Sequence, residues 1–544
     1  MIAIKTAITK NAFIIGLYSF KLEDYKFIEV SNSENGYKYL LALLNTIAKD
    51  NRYIISFGGK HYDMPLLQYL VKNEFAEVKA REVLYLLRKF EVYITNDDTW
   101  YKDDQYIKYK YNNYMHIDLS YYGNSNMYED LSIGNIKRID IADVEVIKKQ
   151  LKLDLDIIVK LYQQHEEEIM HRKTLADTYG VKPFDISAPQ VMEAVMASKF
   201  NTKEMYGDSN PNSNVYAIAL DYEFQTHEIN SFKDYLLTLG SVNINSIDYK
   251  FIVNDLLFNI KSGILKVESN YKGYVNDVYI NDVISMYPTM LLDYEVVPKH
   301  LDKDIFLQVY SDIYDLKVKT GHKLFKHMLV SMVGYFNSLS SPWLKSHDSW
   351  AKIVLRSTLY MLQHIDKMLA DGIDIVFVNL DSICTINTPM YDSKWTSTFY
   401  DTMVIKNMNN YIAIGDHVKT SGVFTVGNRF PVIAKAIANY LKTGESYKDY
   451  IRNTNNPVTD YCAVVIAGKD HRAMYKSEET QLVNRCYVSN YGDYLYKVKG
   501  SKMIRAIKEK VIIYNTKYPD APKINYDWYI SQAEKLLVNQ TTLF

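Results

Sequence analysis

The chain has 544 residues, Lys+Arg 63 against Asp+Glu 64, three cysteines and 48% hydrophobic residues. At roughly 100 to 200 residues per domain this allows about three to five domains and excludes disorder, collagen and small disulfide scaffolds. Cys384, Cys462 and Cys486 form no C-x-x-C pair, which excludes a zinc ribbon and points to a reducing, cytoplasmic setting. The net charge of -1 excludes a uniformly basic coat but leaves room for a local basic groove.

The start, MIAIKTAITKNAFIIGLYSF, lacks a signal-peptide pattern, and no stretch reaches the length of a membrane span. Short apolar runs at Phe13 to Tyr18 and Tyr53 to Phe57 read as strands, and Tyr37 to Ala48 and Asp154 to Thr178 as helices, an α/β layer. Gly207 to Asn214, GDSNPNSN, is a loop. Tyr274 to Asp293 turns from strand to helix, and Asp315 to Tyr335 has apolar residues at helical spacing. Lys352 to Leu369 reads as a further helix, ended by Gly372 before the β-branched run Ile373 to Val378. The segment Tyr496 to Lys510, YKVKGSKMIRAIKEK, reads as a basic helix, either a solvated face or a phosphate-tracking surface.

Two acids stand out by context, Asp282 in VYINDVISMYPTM and Asp381 in IDIVFVNLDSICTI. Each sits where a strand-like run meets a turn. Adjacent strands would bring the two carboxylates together, and a divalent cation would offset their repulsion. Carboxylates are hard oxygen ligands, so Mg²⁺ or Mn²⁺ is expected. Between the acids, KTGHKLFKHMLVSMVGYFNS places Lys319, Lys323 and Lys326 on one expected helix face. Such a row is ordinarily solvated, but between two metal-binding acids it suits a triphosphate. Together these features read as phosphoryl or nucleotidyl transfer.

The segment from Asp282 to Thr289, DVISMYPT, resembles motif A of family B DNA polymerases, D-x-x-S-L-Y-P-S. The resemblance implies that Asp282 and the Val283 carbonyl are metal ligands, that Ser285 lies in the nucleotide site, and that Tyr287 packs under the deoxyribose. Lys326 to Gly334, KHMLVSMVG, is similar to motif B, K-x-x-x-N-S-x-Y-G; Lys326, Ser331 and Gly334 are kept, while Val330 and Val333 replace Asn and Tyr. Phe377 to Ser382, FVNLDS, resembles motif C, Y-G-D-T-D-S, with Asp381 at the essential acid, Ser382 kept and Asn379 at the other acid. Tyr271 and Gly273 resemble a template-strand motif, and Tyr411 a primer-gripping element whose Lys is Asn409 here.

The first third is similar to the proofreading exonuclease of that family, with Asp63 in SFGGKHYDMPLL and Asp143 in RIDIADVEV at metal positions. The D-I-E-T element expected ahead of KNAFIIGLY reads Ala3-Ile4-Lys5-Thr6, so 3'-5' exonuclease activity is expected to be lost. The stretch from Asp282 to Lys326 is too short for the large insertion of protein-primed members.

The resemblance implies an α/β (α+β) right-hand polymerase of small phage type: residues 1–185 exonuclease-like with an RNase H-like fold, 186–310 linker and first part of the palm, 311–347 fingers, 348–415 second part of the palm, and 416–544 thumb. It also implies two Mg²⁺ or Mn²⁺ ions, dNTPs, a DNA primer-template, phage replication proteins as partners, no membrane, a monomer and a cytoplasmic location. Two alternatives stay open: primer-independent or template-relaxed DNA synthesis, and a non-catalytic nucleic-acid-binding protein on a decayed polymerase fold.

Overall fold

The computed structural model describes residues 1–9, 12–30, 34–50, 52–73, 80–96, 109, 114–122, 144–200, 202, 205–208, 210–271, 273–421, 429–466, 472–480, 483–500, 502–514 and 522–541. The chain is mixed α/β and divides into two compact units, Met1–Ser198 and Lys199–Phe544.

The first unit is built on a five-stranded sheet of order β3-β2-β1-β4-β5. Its strands are β1 (Ile2–Ile8), β2 (Phe13–Ser19), β3 (Asp24–Glu29), β4 (Tyr53–Ser56) and β5 (Met115–Asp118). The first three are antiparallel neighbours, whereas β4 joins β1 and β5 joins β4 in parallel. Parallel neighbours need a crossover, and α1 (Glu34–Lys49) supplies the one between β3 and β4. Then come α2 (Asp63–Lys72), α3 (Ala80–Asn96), α4 (Val144–Gln164), α5 (Glu166–Tyr179) and α6 (Ala188–Ala197). The apolar stripe of α1, Leu40, Leu44 and Ile47, buries against Ile4, Phe13 and Ile15. The sequence reading of one helix from Asp154 to Thr178 is corrected: α4 and α5 are separate, broken at His165.

The second unit opens with β6 (Asn212–Asn214), α7 (Val215–Ala219), α8 (His227–Leu239) and β7 (Ser241–Asn243). The expected loop at Gly207 to Asn214 therefore ends in a short strand. A side chain at Gly207 would lie 2.4 Å from two main-chain oxygens, those of Pro342 and Lys345, so only glycine fits there.

A nine-stranded sheet forms the middle of this unit, in the order β16-β15-β14-β11-β13-β12-β10-β9-β8. Its strands are β8 (Asp248–Val253), β9 (Leu256–Lys261), β10 (Ile264–Glu268), β11 (Gly273–Val283), β12 (Ile375–Asn379), β13 (Ser382–Ile386), β14 (Trp395–Asn407), β15 (Asn410–Ile414) and β16 (Val418–Ser421). All neighbouring strands in it are antiparallel. Between β11 and β12 the chain makes α9 (Met286–Asp293), α10 (Lys303–Thr320), α11 (Lys323–Phe336) and α12 (His347–Ala370).

The continuous helix expected from Asp315 to Tyr335 is two helices. Gly321, at φ 67°, ends α10 in the left-handed conformation, and the His322 ring accepts the Leu324 amide at 3.1 Å to cap α11. Lys319 thus lies in the last turn of α10, on a different helix from Lys323 and Lys326.

The remaining residues pack helices Pro431–Thr443, Tyr447–Arg452 and Tyr526–Thr541 around a core containing Phe430, Tyr461, Tyr487 and Tyr529. Here β17 (Cys462–Ile466), β20 (Val483–Asp493) and β23 (Val511–Ile513) form one sheet. The strands β18 (Arg472–Tyr475), β19 (Glu478–Thr480), β21 (Leu495–Lys499) and β22 (Lys502–Arg505) form another. The basic helix expected at Tyr496 to Lys510 is corrected to the β21–β22 hairpin. Its turn uses Gly500 at φ 57°, and buried Leu495 and Val498 pack inward.

Among the described residues, no helix is long and apolar enough to cross a membrane.

Candidate active site

Two antiparallel turns build the site. Strand β11 lies between β14 and β13, with Asp282 near its end and paired to Ser382 in register. Asn379 and Ser382 pair across a two-residue hairpin of Leu380 and Asp381. The Val283 amide donates to the Asp381 carbonyl at 2.8 Å, tying the two carboxylate-bearing turns together through the main chain. Leu380, at φ 53°, and Ser285, at φ 51°, both hold the left-handed conformation. For non-glycine residues this costs about 1–2 kcal/mol each, strain of the kind that clusters at functional turns. Ser285 starts α9, and the Ile284 amide is pinned to the Lys394 carbonyl at 2.8 Å.

Behind Asp282, the fully buried Asn281 organises the segment between β13 and β14. Its amide group donates to the Ile383 carbonyl at 3.2 Å, to Thr385 Oγ1 at 3.0 Å and to the Thr388 carbonyl at 3.4 Å. Its oxygen accepts from the Met390 amide at 3.0 Å and Ser397 Oγ at 2.6 Å. An asparagine among strand apolar residues carries no special signal in sequence, and it was missed there.

The Asp381 carboxyl is raised above the ordinary carboxylate range, first by desolvation and then by the Asp282 charge, while Lys326 and Lys419 oppose the rise. Tyr287 is half-buried, and its hydroxyl is raised by burial and then by Asp381. These dependences put Asp282, Asp381, Tyr287, Lys326 and Lys419 in one electrostatic neighbourhood.

Lys419, on the edge strand β16, is also absent from the sequence reading. Its Nζ lies 3.6 Å from Asp282 Oδ2, and each side chain is 40% exposed. An ion pair so open contributes about 0–1 kcal/mol, so either partner can be drawn to another ligand at little cost.

On α11, Lys323, Lys326, His327, Val330 and Gly334 form the exposed face, whereas Val333 is buried. Gly334 leaves open space where a side chain would stand. Ser331 turns its hydroxyl back to the Met328 carbonyl at 2.8 Å. Lys317 on α10 is a further residue the sequence did not single out. Its ammonium pKa is lowered by desolvation and then by Lys326, so the two helices bring cations together.

Other expected positions spread along the sheet. Gly273 opens β11 at φ 81°, and Tyr271 packs against the cluster under β11 and β14. Tyr411 is buried and stacks on Phe377, with its hydroxyl raised by burial. Ser382 donates to the Asn379 carbonyl at 3.1 Å and so closes the hairpin.

A carboxylate pair with one member raised by the other fits a divalent cation. Among the described residues no group of three or more His, Cys, Asp and Glu gathers for a metal. A two-carboxylate set suits Mg²⁺, which ordinarily takes one or two carboxylates and completes its shell with water and substrate phosphates.

In the first unit, Asp63 opens α2 and is fully buried. Asp143 lies outside the described residues. Asp154, buried on α4, feels the Asp63 charge and also went unnoticed in the sequence. The signal was there: Asp154 falls on the apolar stripe of Leu151, Leu155, Ile158 and Leu161.

No protein-family profile matches the chain. No curated protein matches it either. Among solved structures it is similar to the family B DNA polymerase from the hyperthermophilic archaeon Pyrobaculum calidifontis, with a TM-score of 0.46 and 11% identity over 100% of this chain and 78% of that one.

Proposed function

We propose that the chain is a template-directed DNA polymerase that adds deoxynucleotides to a primer 3'-hydroxyl. The observation that carries this reading is the main-chain bond from Val283 to Asp381, which ties the Asp381 turn to the strand end that bears Asp282, with Lys326 among the charges acting on Asp381.

Asp282, Asp381 and the Val283 carbonyl would hold two Mg²⁺ or Mn²⁺ ions, and Ser285 and Ser382 would shape the turns that present them. Bound metal supplies a lower pKa for the attacking hydroxyl and neutralises the leaving pyrophosphate. Lys323 and Lys326 on α11, joined by Lys317 and Lys319 on α10, bind the triphosphate. The open face at Gly334 lets the nascent base pair approach, with Ser331 on the flank. Tyr287 packs under the deoxyribose and rejects a 2'-hydroxyl. Lys419 turns from Asp282 to a primer phosphate, while Tyr271, Gly273 and Tyr411 support the strands. A division into palm, fingers and thumb, and service in phage-type replication, belong to the same reading.

Primer extension with labelled primer-template, dNTPs and Mg²⁺ tests it. Wild-type chain extends the primer, Asp381→Ala does not, and the mutant still binds DNA. Extension at the wild-type rate by Asp381→Ala would refute the assignment. Product formed without primer would instead favour de novo synthesis. On the same gel, a mismatched primer should not be shortened; Mg²⁺-dependent shortening by clean protein would show that exonuclease activity survives.

A further inference from the structure

The fully buried Asp63 is held from both sides. Its Oδ1 accepts the Thr6 amide at 2.9 Å and Thr6 Oγ1 at 2.6 Å, and its Oδ2 faces Lys5 Nζ at 3.2 Å. Lys5 lies on β1, against which α4 packs, and α4 carries Asp154. Asp154 is also buried; Gln150 Nε2 donates to its Oδ1 at 3.1 Å, and it feels the charges of Lys5 and Asp63. Asp118, whose charge Lys5 also feels, is engaged by the amides of Gly58, Lys60 and Ser120 and by Ser120 Oγ. Lys5 Nζ is 6.0 Å from the Tyr62 ring as well.

Buried carboxylates need a counter-charge. The resemblance noted in the sequence implies a divalent metal at Asp63, and the residues present do not fit one. The Lys5 ammonium already stands against one oxygen, and Thr6 occupies the other.

We propose that Lys5 is a resident cation: its ammonium takes the place of a divalent ion at Asp63, and it closes a latent metal site. The inference concerns the first unit alone and does not depend on the polymerase reading. An ammonium carries one charge and a fixed tether, so Asp63 has its counter-charge at folding without any ion from solution. Removal of the ammonium takes away the counter-charge that Asp63 holds in wild type, and the pocket then recruits a divalent ion. Arginine at this position keeps the charge and should keep the pocket closed.

The full-length wild type, Lys5→Ala, Lys5→Arg and the double variant Lys5→Ala/Asp63→Asn are compared in Mn²⁺ and in EDTA. Mn²⁺ bound per chain is counted by electron paramagnetic resonance, so that ions held by the second unit cancel against wild type. Amide exchange is followed in peptides covering β1 and the start of α2. Lys5→Ala should bind one more Mn²⁺ than wild type, and its β1 and α2 amides should exchange at least tenfold faster in EDTA than in Mn²⁺. Wild type and Lys5→Arg should show neither effect, and Asp63→Asn should abolish both in the Lys5→Ala background. Equal Mn²⁺ counts in wild type and Lys5→Ala would overturn the proposal, as would Mn²⁺ protection of the same amides in wild type. Should Lys5→Ala not fold, Lys5→Gln, neutral and polar, is read by the same two outcomes.

Discussion

Replacing Asn281 by Asp tests whether the buried amide behind Asp282 organises the site. The Asn281 nitrogen faces three acceptors, the carbonyls of Ile383 and Thr388 and Thr385 Oγ1. A carboxylate oxygen in place of that nitrogen would meet two carbonyls and a hydroxyl whose proton already goes to the Thr388 carbonyl, in a position fully excluded from solvent. The group would avoid ionisation by holding a proton. With an unfolded pKa of about 3.9, protonation at pH 7 costs about 4 kcal/mol at about 1.4 kcal/mol per unit, a large share of a stability of about 5–15 kcal/mol. Asn281→Ala, by contrast, loses two or three net hydrogen bonds, about 2–3 kcal/mol, independent of pH. Ser397 Oγ and the Met390 amide keep each other as partners in that variant. A carboxyl raised in the folded state favours folding below its unfolded pKa and withdraws that contribution as pH rises through the folded value. Asn281→Asp should therefore recover by about 1.4 kcal/mol per unit as pH falls from 7 towards 4. Urea unfolding followed by tryptophan fluorescence measures this, since four of the five tryptophans, Trp343, Trp350, Trp395 and Trp528, lie in the second unit. Equal destabilisation of the Asp and Ala variants at every pH would refute the reasoning.

Two further outcomes bear on the cations. Lys317→Ala should raise the KM for dNTPs about tenfold, equivalent to about 1.4 kcal/mol, with primer-template affinity unchanged; steady-state titration with an unaltered KM would remove Lys317 from the nucleotide site. Lys419→Met should move the acidic limb of the pH-rate profile upward, because Lys419 opposes the rise of the Asp381 pKa and metal binds the deprotonated carboxylate. A limb that stays in place, or moves to lower pH, would contradict that sign.

The strand, turn and helix around Asp282 and the strand and hairpin around Asp381 were legible because local pattern specifies them: β-branched runs, then a break in periodicity. The two-helix break at Gly321 and His322 was hidden because apolar residues keep helical spacing across it. The β21–β22 hairpin was misread because its lysines satisfy both periods, and only Gly500 marks the turn. Lys419 was not legible at all. Its strand stands three strands from β11 in the sheet order, yet its side chain reaches Asp282. Lys317 is one solvated-looking lysine among several until α10 folds back along α11. Asp63 and Lys5 were legible as an acid and a base in unusual places, but their pairing needed β1 and α2 in space.

The bond from the Val283 amide to the Asp381 carbonyl uses no side-chain atom. The spacing of the two turns is therefore indifferent to which side chains decorate them, so long as strand register survives. Such a scaffold tolerates sequence drift at its flanks, Asn379 included, without losing its gauge. It also means that variants lacking either carboxylate should keep the spacing of the two turns.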